Sequence, residues 1–133
     1  MGVTLYNKEY NMDMGMGSFY QLRRIVANFM NSEFGEHYSN ILKCRTKNDF
    51  IAFDKKTEQL VKKYNLDEDI LDFLFQSDCD GKINSKTCAK IYELVKNYET
   101  NMMFGYYYSN NSFTYFKSML ADCAKKRRNL YWH

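Results

Sequence analysis

Asp78, Asp80, Gly81 and Asn84 stand in the stretch SDCDGKINSKTCAK (residues 77–90) at spacings used by calcium loops. An EF-hand loop sets a glycine at position six, oxygen ligands at positions one, three, five and nine, and a bidentate glutamate at twelve. With Gly81 sixth, Asp78 is third, Asp80 fifth, Ile83 eighth and Asn84 ninth. Position one is then Gln76 and position twelve Thr87, so both ends of the loop lack a carboxylate. Counting from Asp78 instead puts Ile83 where the glycine belongs. Any calcium affinity is therefore expected no tighter than about the millimolar end of natural sites. Asp, Gly and Asn also build tight turns between helices, by capping and by tolerating left-handed backbone. The preferred reading is such a turn, with Asp78 or Asp80 accepting hydrogen bonds from nearby backbone amides and with no metal or cofactor. A degenerate calcium-binding loop is the alternative.

A second chemistry is anion recognition. Arg23 and Arg24 lie together, Lys125–Lys126–Arg127–Arg128 form a basic run, and Phe104, Tyr106, Tyr107 and Tyr108 form an aromatic tract. Arginine forks match phosphate or carboxylate, and tyrosine faces stack on bases or serve as interface anchors. The competing account is structural: arginines on a solvated helix face, and a basic helix end that complements the dipole.

Catalytic signatures are absent from the sequence. It has no nucleophile elbow, P-loop or HExxH pattern, and His37 and His133 have no partner visible in sequence. Cys44, Cys79, Cys88 and Cys123 are scattered, without a CxxC pair or zinc-ligand spacing. A non-enzymatic protein is expected.

These residues need a scaffold, and periodicity suggests one. Val3-Thr4-Leu5-Tyr6 alternates like a half-buried strand, and Leu130-Tyr131-Trp132 looks similar. Two short strands at opposite ends gain most by pairing, since alone each leaves its backbone groups unsatisfied. Ser18 and Gln21 form a capping-box pattern that predicts a helix start. Phe19, Leu22, Ile25, Val26, Phe29 and Met30 form its apolar face, with Arg23, Arg24 and Asn28 largely elsewhere. A break is expected around Gly35, then a short segment carrying Tyr38, Ile41 and Leu42. Residues 48–65 keep helical rhythm through Phe50, Phe53, Leu60, Val61 and Tyr64, and Asn65 ends that helix and opens the next. Asn84 or Ser85 should cap the helix after the DCDG turn, and Phe113, Phe116, Met119, Leu120 and Cys123 mark a last one closed by the basic run.

The 133 residues suit one domain spanning 1–133, with 45% hydrophobic and 26% charged residues. The fold class expected is α+β: a mainly helical single domain, with four to six helices packed on a small sheet formed at least partly by the N- and C-terminal strands. A net charge of +3 does not demand nucleic acid. No stretch reads as a signal peptide or membrane span, so a cytoplasmic protein with reduced thiols is expected. Part of the 17% aromatic content is what AT-rich coding produces, as are abundant Asn and Lys and the absence of Pro.

MGVTLY, SFYQLRRIVA, LDFLFQSDCDGKI followed by CxxIY, and CAKKRRNLYW together resemble a family of short proteins of low-GC Gram-positive bacteria and their phages. The resemblance spans nearly the whole chain. Its most specific element is the SDCDGK joint combined with an NLYW-type terminal strand. It implies a setting and no residue roles: a phage or mobile-element accessory protein that binds and modulates a host bacterial protein, such as a component of host defence. The alternative is a module that sequesters a small anionic ligand such as a signalling nucleotide. Arg23, Arg24, Phe104, Tyr106, Tyr107, Tyr108, Arg127 and Arg128 are the candidate contacts.

Overall fold

The structure, a computed structural model, describes residues 2–98 and 110–133, with side chains described from Phe113 onward in the second segment. Strands β1 (Gly2–Tyr6) and β2 (Asn11–Gly15) form an antiparallel hairpin in which Val3 faces Met14 and Leu5 faces Met12. Asn7 shapes the hairpin turn, its side-chain oxygen accepting from the Glu9 and Tyr10 amides at 2.9 and 2.8 Å. β4 (Leu130–Trp132) lies antiparallel beside β1, with Leu5 opposite Trp132 and Tyr6 opposite Tyr131. β3 (Gly81–Ile83) pairs with the other edge of β4, giving the sheet order β2-β1-β4-β3. The two terminal strands are thus its central pair. Alternation sends Val3, Leu5, Leu130 and Trp132 inward to one buried cluster.

Among the described residues six helices cover the sheet. α1 (Met16–Met30) leads straight out of β2, two residues before Ser18. The expected capping box is therefore not used: Gly15 occupies the cap position without a side-chain bond, because the β2 pairing to Gly2 carries the chain directly into the first turn. The next break falls at Asn31, not at Gly35. Asn31 is extended (φ −169°) and its side chain accepts from the Phe34 amide at 3.0 Å, opening α2 (Ser32–Ser39). Gly35 sits inside α2 because α1 passes so close that a Cβ would collide with Asn28.

A 3-10 turn (Asn40–Lys43) leads to α3 (Lys47–Tyr64), whose start carries a capping box that was not anticipated. The Thr46 hydroxyl accepts from the Asp49 amide at 3.1 Å, and the Asp49 carboxylate accepts from the Thr46 and Arg45 amides at 3.0 and 2.9 Å. These bonds hold the Asp49 carboxyl below its ordinary pKa. Of the apolar face expected on α3, Phe53 and Leu60 are buried, whereas Phe50 is exposed.

Asn65 ends α3 in the left-handed conformation (φ 49°), so it cannot also open the next helix. Asp67 caps α4 (Glu68–Phe75) instead, accepting from the Asp69 and Ile70 amides. Asn84 caps α5 (Ser85–Val95) as expected, accepting from the Thr87 amide at 2.9 Å. α6 (Asn110–Lys126) buries all five residues of its expected face. It closes at Arg127, left-handed at φ 55°, with the Arg128 amide donating back to the Cys123 carbonyl at 3.0 Å. No helix among the described residues is long and apolar enough to cross a membrane.

Candidate functional site

The DCDG joint is fastened by groups other than the two aspartates. Gln76 uses its side-chain amide like a strand neighbour: Oε1 accepts from the Lys82 amide at 3.0 Å and Nε2 donates to the Lys82 carbonyl at 2.8 Å. The Cys79 amide donates to the Ser77 hydroxyl at 3.1 Å. Asp78 accepts from the Cys79 thiol at 3.4 Å, and among the described residues no backbone amide donates to Asp78 or Asp80. The expectation that one of them would is corrected, because Gln76 and Ser77 already satisfy those donors.

Gly81 has a reason that lies 51 positions away in sequence. It is paired with Trp132, whose indole ring lies so close that a Cβ on Gly81 would overlap it. The indole nitrogen donates to the Ser77 carbonyl at 2.8 Å. The joint and the terminal strand are therefore one packing unit. Among the described residues no group of three or more His, Cys, Asp or Glu is placed to hold a metal ion.

On the inner side of this unit lies Arg23. Its placement corrects the sequence reading, which put it off the apolar face of α1: the residue is only 6% exposed. Its guanidinium carbon sits 4.4 Å from the Phe19 ring centroid, 5.5 Å from Trp132 and 5.6 Å from Phe73. The aromatic faces supply cation–π attraction but accept no N–H bond in the plane of the fork. Nε and Nη2 are buried without a hydrogen-bond partner among the described residues. Burial lowers the Arg23 pKa, opposed in part by the nearby Tyr38 phenol and Asp78 carboxylate. No carboxylate among the described residues lies within ion-pairing distance of it.

Arg23 lines a cleft of about 490 Å³ between α1, the α2 end with its 3-10 turn, and the α4–β3 joint. Met16, Ile41, Leu42, Leu74 and Phe75 supply apolar wall; Tyr20, Tyr38, Gln76, Ser77 and Asp78 supply polar groups. Tyr20 and Tyr38 are stacked, with centroids 6.1 Å apart and planes 11° apart. Their hydroxyls donate to the Ser39 and Leu74 carbonyls at 3.2 and 2.9 Å. Burial raises both phenol pKa values, that of Tyr38 to about 12, so both rings stay neutral across the physiological range.

The other candidates are dispersed. Arg24 is exposed and donates to the Gln21 side chain at 3.5 Å, yet its charge reaches Tyr20 on the cleft wall. Arg127 is exposed at the helix end. Arg128 is committed to ion pairs with Glu9 at 3.0 Å and Asp122 at 3.4 Å, and Lys126 joins the same two acids. That part of the basic run ties α6 to the hairpin turn. Phe104, Tyr106, Tyr107 and Tyr108 lie outside the described residues. The tyrosines that accompany the arginine are Tyr20 and Tyr38. Spacing held the signal: Phe19, Arg23 and Ala27 recur at four residues, and Tyr20 lies three before Arg23.

His37 gains a partner that sequence does not show, with Nε2 2.8 Å from the Thr57 hydroxyl. That hydroxyl gives its hydrogen to the Phe53 carbonyl at 3.0 Å, so the imidazole is the donor. The polarity is opposite to that of a base activating a nucleophile.

No family model matches the chain, and no curated protein or solved structure matches it.

Proposed function

We propose that this chain is a non-enzymatic binding module that takes a small anionic ligand with an apolar body in the Arg23 cleft. One observation carries the reading: an arginine more than nine-tenths buried, on a ligand-sized cleft, with two donors that have no hydrogen-bond partner among the described residues. Leaving a charged donor unsatisfied costs more than an ordinary lost hydrogen bond, so such groups mark places where another acceptor belongs. A volume of about 490 Å³ falls in the usual range for small-molecule sites. Binding fits the side chains better than catalysis does. Arg23 is a fixed charge, and the two phenols keep their protons at neutral pH.

The test is thermal unfolding against a panel of small carboxylates, apolar amino acids, inorganic phosphate and linear and cyclic nucleotides. A ligand at about a hundred times its Kd adds roughly 2.7 kcal/mol of stability, a rise of several degrees. The rise should vanish in Arg23→Met. Flat curves across the panel would remove the proposal.

A second reading, the bound and modulated host protein in a bacterial cytoplasm, is favoured by the same cleft's rim. Leu42 and Phe75 are 57% and 41% exposed there, large apolar side chains of the kind that anchor protein contacts. In that case an acidic side chain of the partner reaches Arg23. Leu42→Glu together with Phe75→Glu should then abolish partner capture from a host lysate.

A further inference from the structure

We infer that the ligand of the Arg23 cleft is a zwitterion, a free α-amino acid with an apolar side chain. The inference rests on the proposed small-ligand function and narrows it. It comes from the second charge in the cleft. Asp78 lines the same space as Arg23, near enough for its charge to be felt there, but the two are not joined by an ion pair or a hydrogen bond. A protein that needed only to neutralise its buried arginine would bring that carboxylate into contact. Here the two opposite charges line one cleft without pairing, which leaves one for each end of an ammonium–carboxylate ligand.

The electrostatic sum makes the same choice. Arg23 and Asp78 cancel, so a phosphate dianion or a nucleotide would gain one attraction and meet one repulsion at close quarters in a partly dry site. A zwitterion gains both. Its carboxylate meets the positive charge of Arg23, which lines the cleft. Its ammonium goes to Asp78, whose one described hydrogen bond is from the Cys79 thiol at 3.4 Å, leaving most of its acceptor capacity available. The apolar side chain then lies against Leu74, Phe75, Ile41 and Leu42. A cleft of about 490 Å³ has ample room for a single amino acid.

Titration calorimetry with matched probes tests this: L-leucine and L-phenylalanine, their des-amino acids 4-methylpentanoate and 3-phenylpropanoate, and 3-methylbutan-1-amine. At least one amino acid should bind the wild-type chain at least tenfold more tightly than its des-amino acid, and the amine should bind more weakly still. Asp78→Asn should weaken amino-acid binding about tenfold or more, while leaving the des-amino acid unchanged or improved. This variant keeps the fold, since Asp78 holds no backbone group. Des-amino acids that bind as tightly as the amino acids would overturn the zwitterion and leave an anion site standing. Binding by phosphate or nucleotides in an Arg23-dependent way, with no amino-acid binding, would do the same. Silence from these probes and from the whole anion panel would overturn both.

Discussion

At the scale of single residues, Arg23 sets up a conflict between stability and binding. Its unsatisfied donors cost about 1–3 kcal/mol, and cation–π contact with three rings returns about 1–2 kcal/mol. Methionine would keep the length and the aromatic contacts while removing the charge. Arg23→Met is therefore expected to raise the unfolding free energy by about 1 kcal/mol in urea titrations without ligand, even as it abolishes binding. A loss of more than about 1 kcal/mol would mark Arg23 as structural. His37 gives the residue-scale pH prediction. It is buried, stacked on Phe53 at 4.2 Å and near Lys56, and desolvation followed by the lysine charge lowers its pKa below the ordinary 6.5. The unfolded chain then binds the proton more readily than the folded one. The contribution of His37 to stability is complete above about pH 6.5 and falls as the pH drops through that value toward the lower folded pKa. Stability should decline as the pH falls below about 6.5, and His37→Gln should flatten that slope in denaturant midpoints.

The joint between α4 and α5 shows how elements secure one another. β3 needs β4 as its pairing partner, and Trp132 needs the bare Cα of Gly81 to lie against. Gly81→Ala should cost about 1–3 kcal/mol or more, since the added methyl meets a ring that is itself fully buried. The thermal midpoint of that variant measures it directly, and a midpoint within a degree of wild type would show that the indole can move. The same joint bears on calcium. Gln76 spends its side chain on the Lys82 backbone and Thr87 is buried at position twelve, so the ends of the loop are occupied by structural work. Calorimetry at sub-millimolar calcium should give no one-site isotherm, and a clear isotherm would reverse this account of the loop.

For the whole molecule, the sheet closes the chain on itself. β4 is a central strand, and its loss would strip β1 and β3 of a neighbour and remove Leu130 and Trp132 from the core at once. A chain ending at Arg128 should lose its cooperative melt, seen as a sloping, transition-free thermal curve, and Arg23 would lose one of the three rings around it. A full cooperative transition in that truncation would mean that the helices alone form the core. The basic end of α6 acts at this scale too: Lys126 and Arg128 bind Glu9 and Asp122, and Asn7 reaches Asp122 at 2.9 Å, so the hairpin is fastened to the last helix through side chains far apart in sequence.

Local physics was enough for much of this protein. Period-two alternation in residues 3–6 and 130–132 led to the paired terminal strands, and the helical spacing of Phe113, Phe116, Met119, Leu120 and Cys123 led to the buried face of α6. The Asn84 cap and the helix end at Asn65 were likewise legible, because capping depends on a few neighbouring atoms. Ser18 and Gly35 misled for the opposite reason, since strand pairing and helix contact outranked a local preference. The candidate site was half legible. Arg23 was named as a contact, but its burial was not, because an arginine counts as polar in any periodic pattern, and only the meeting of α1, α4 and β4 surrounds it with Phe19, Phe73 and Trp132. Asp78 was read as a metal ligand or a turn residue. Its place on the same cleft as a buried arginine depends on contacts some 55 residues apart in sequence, which no local rule contains.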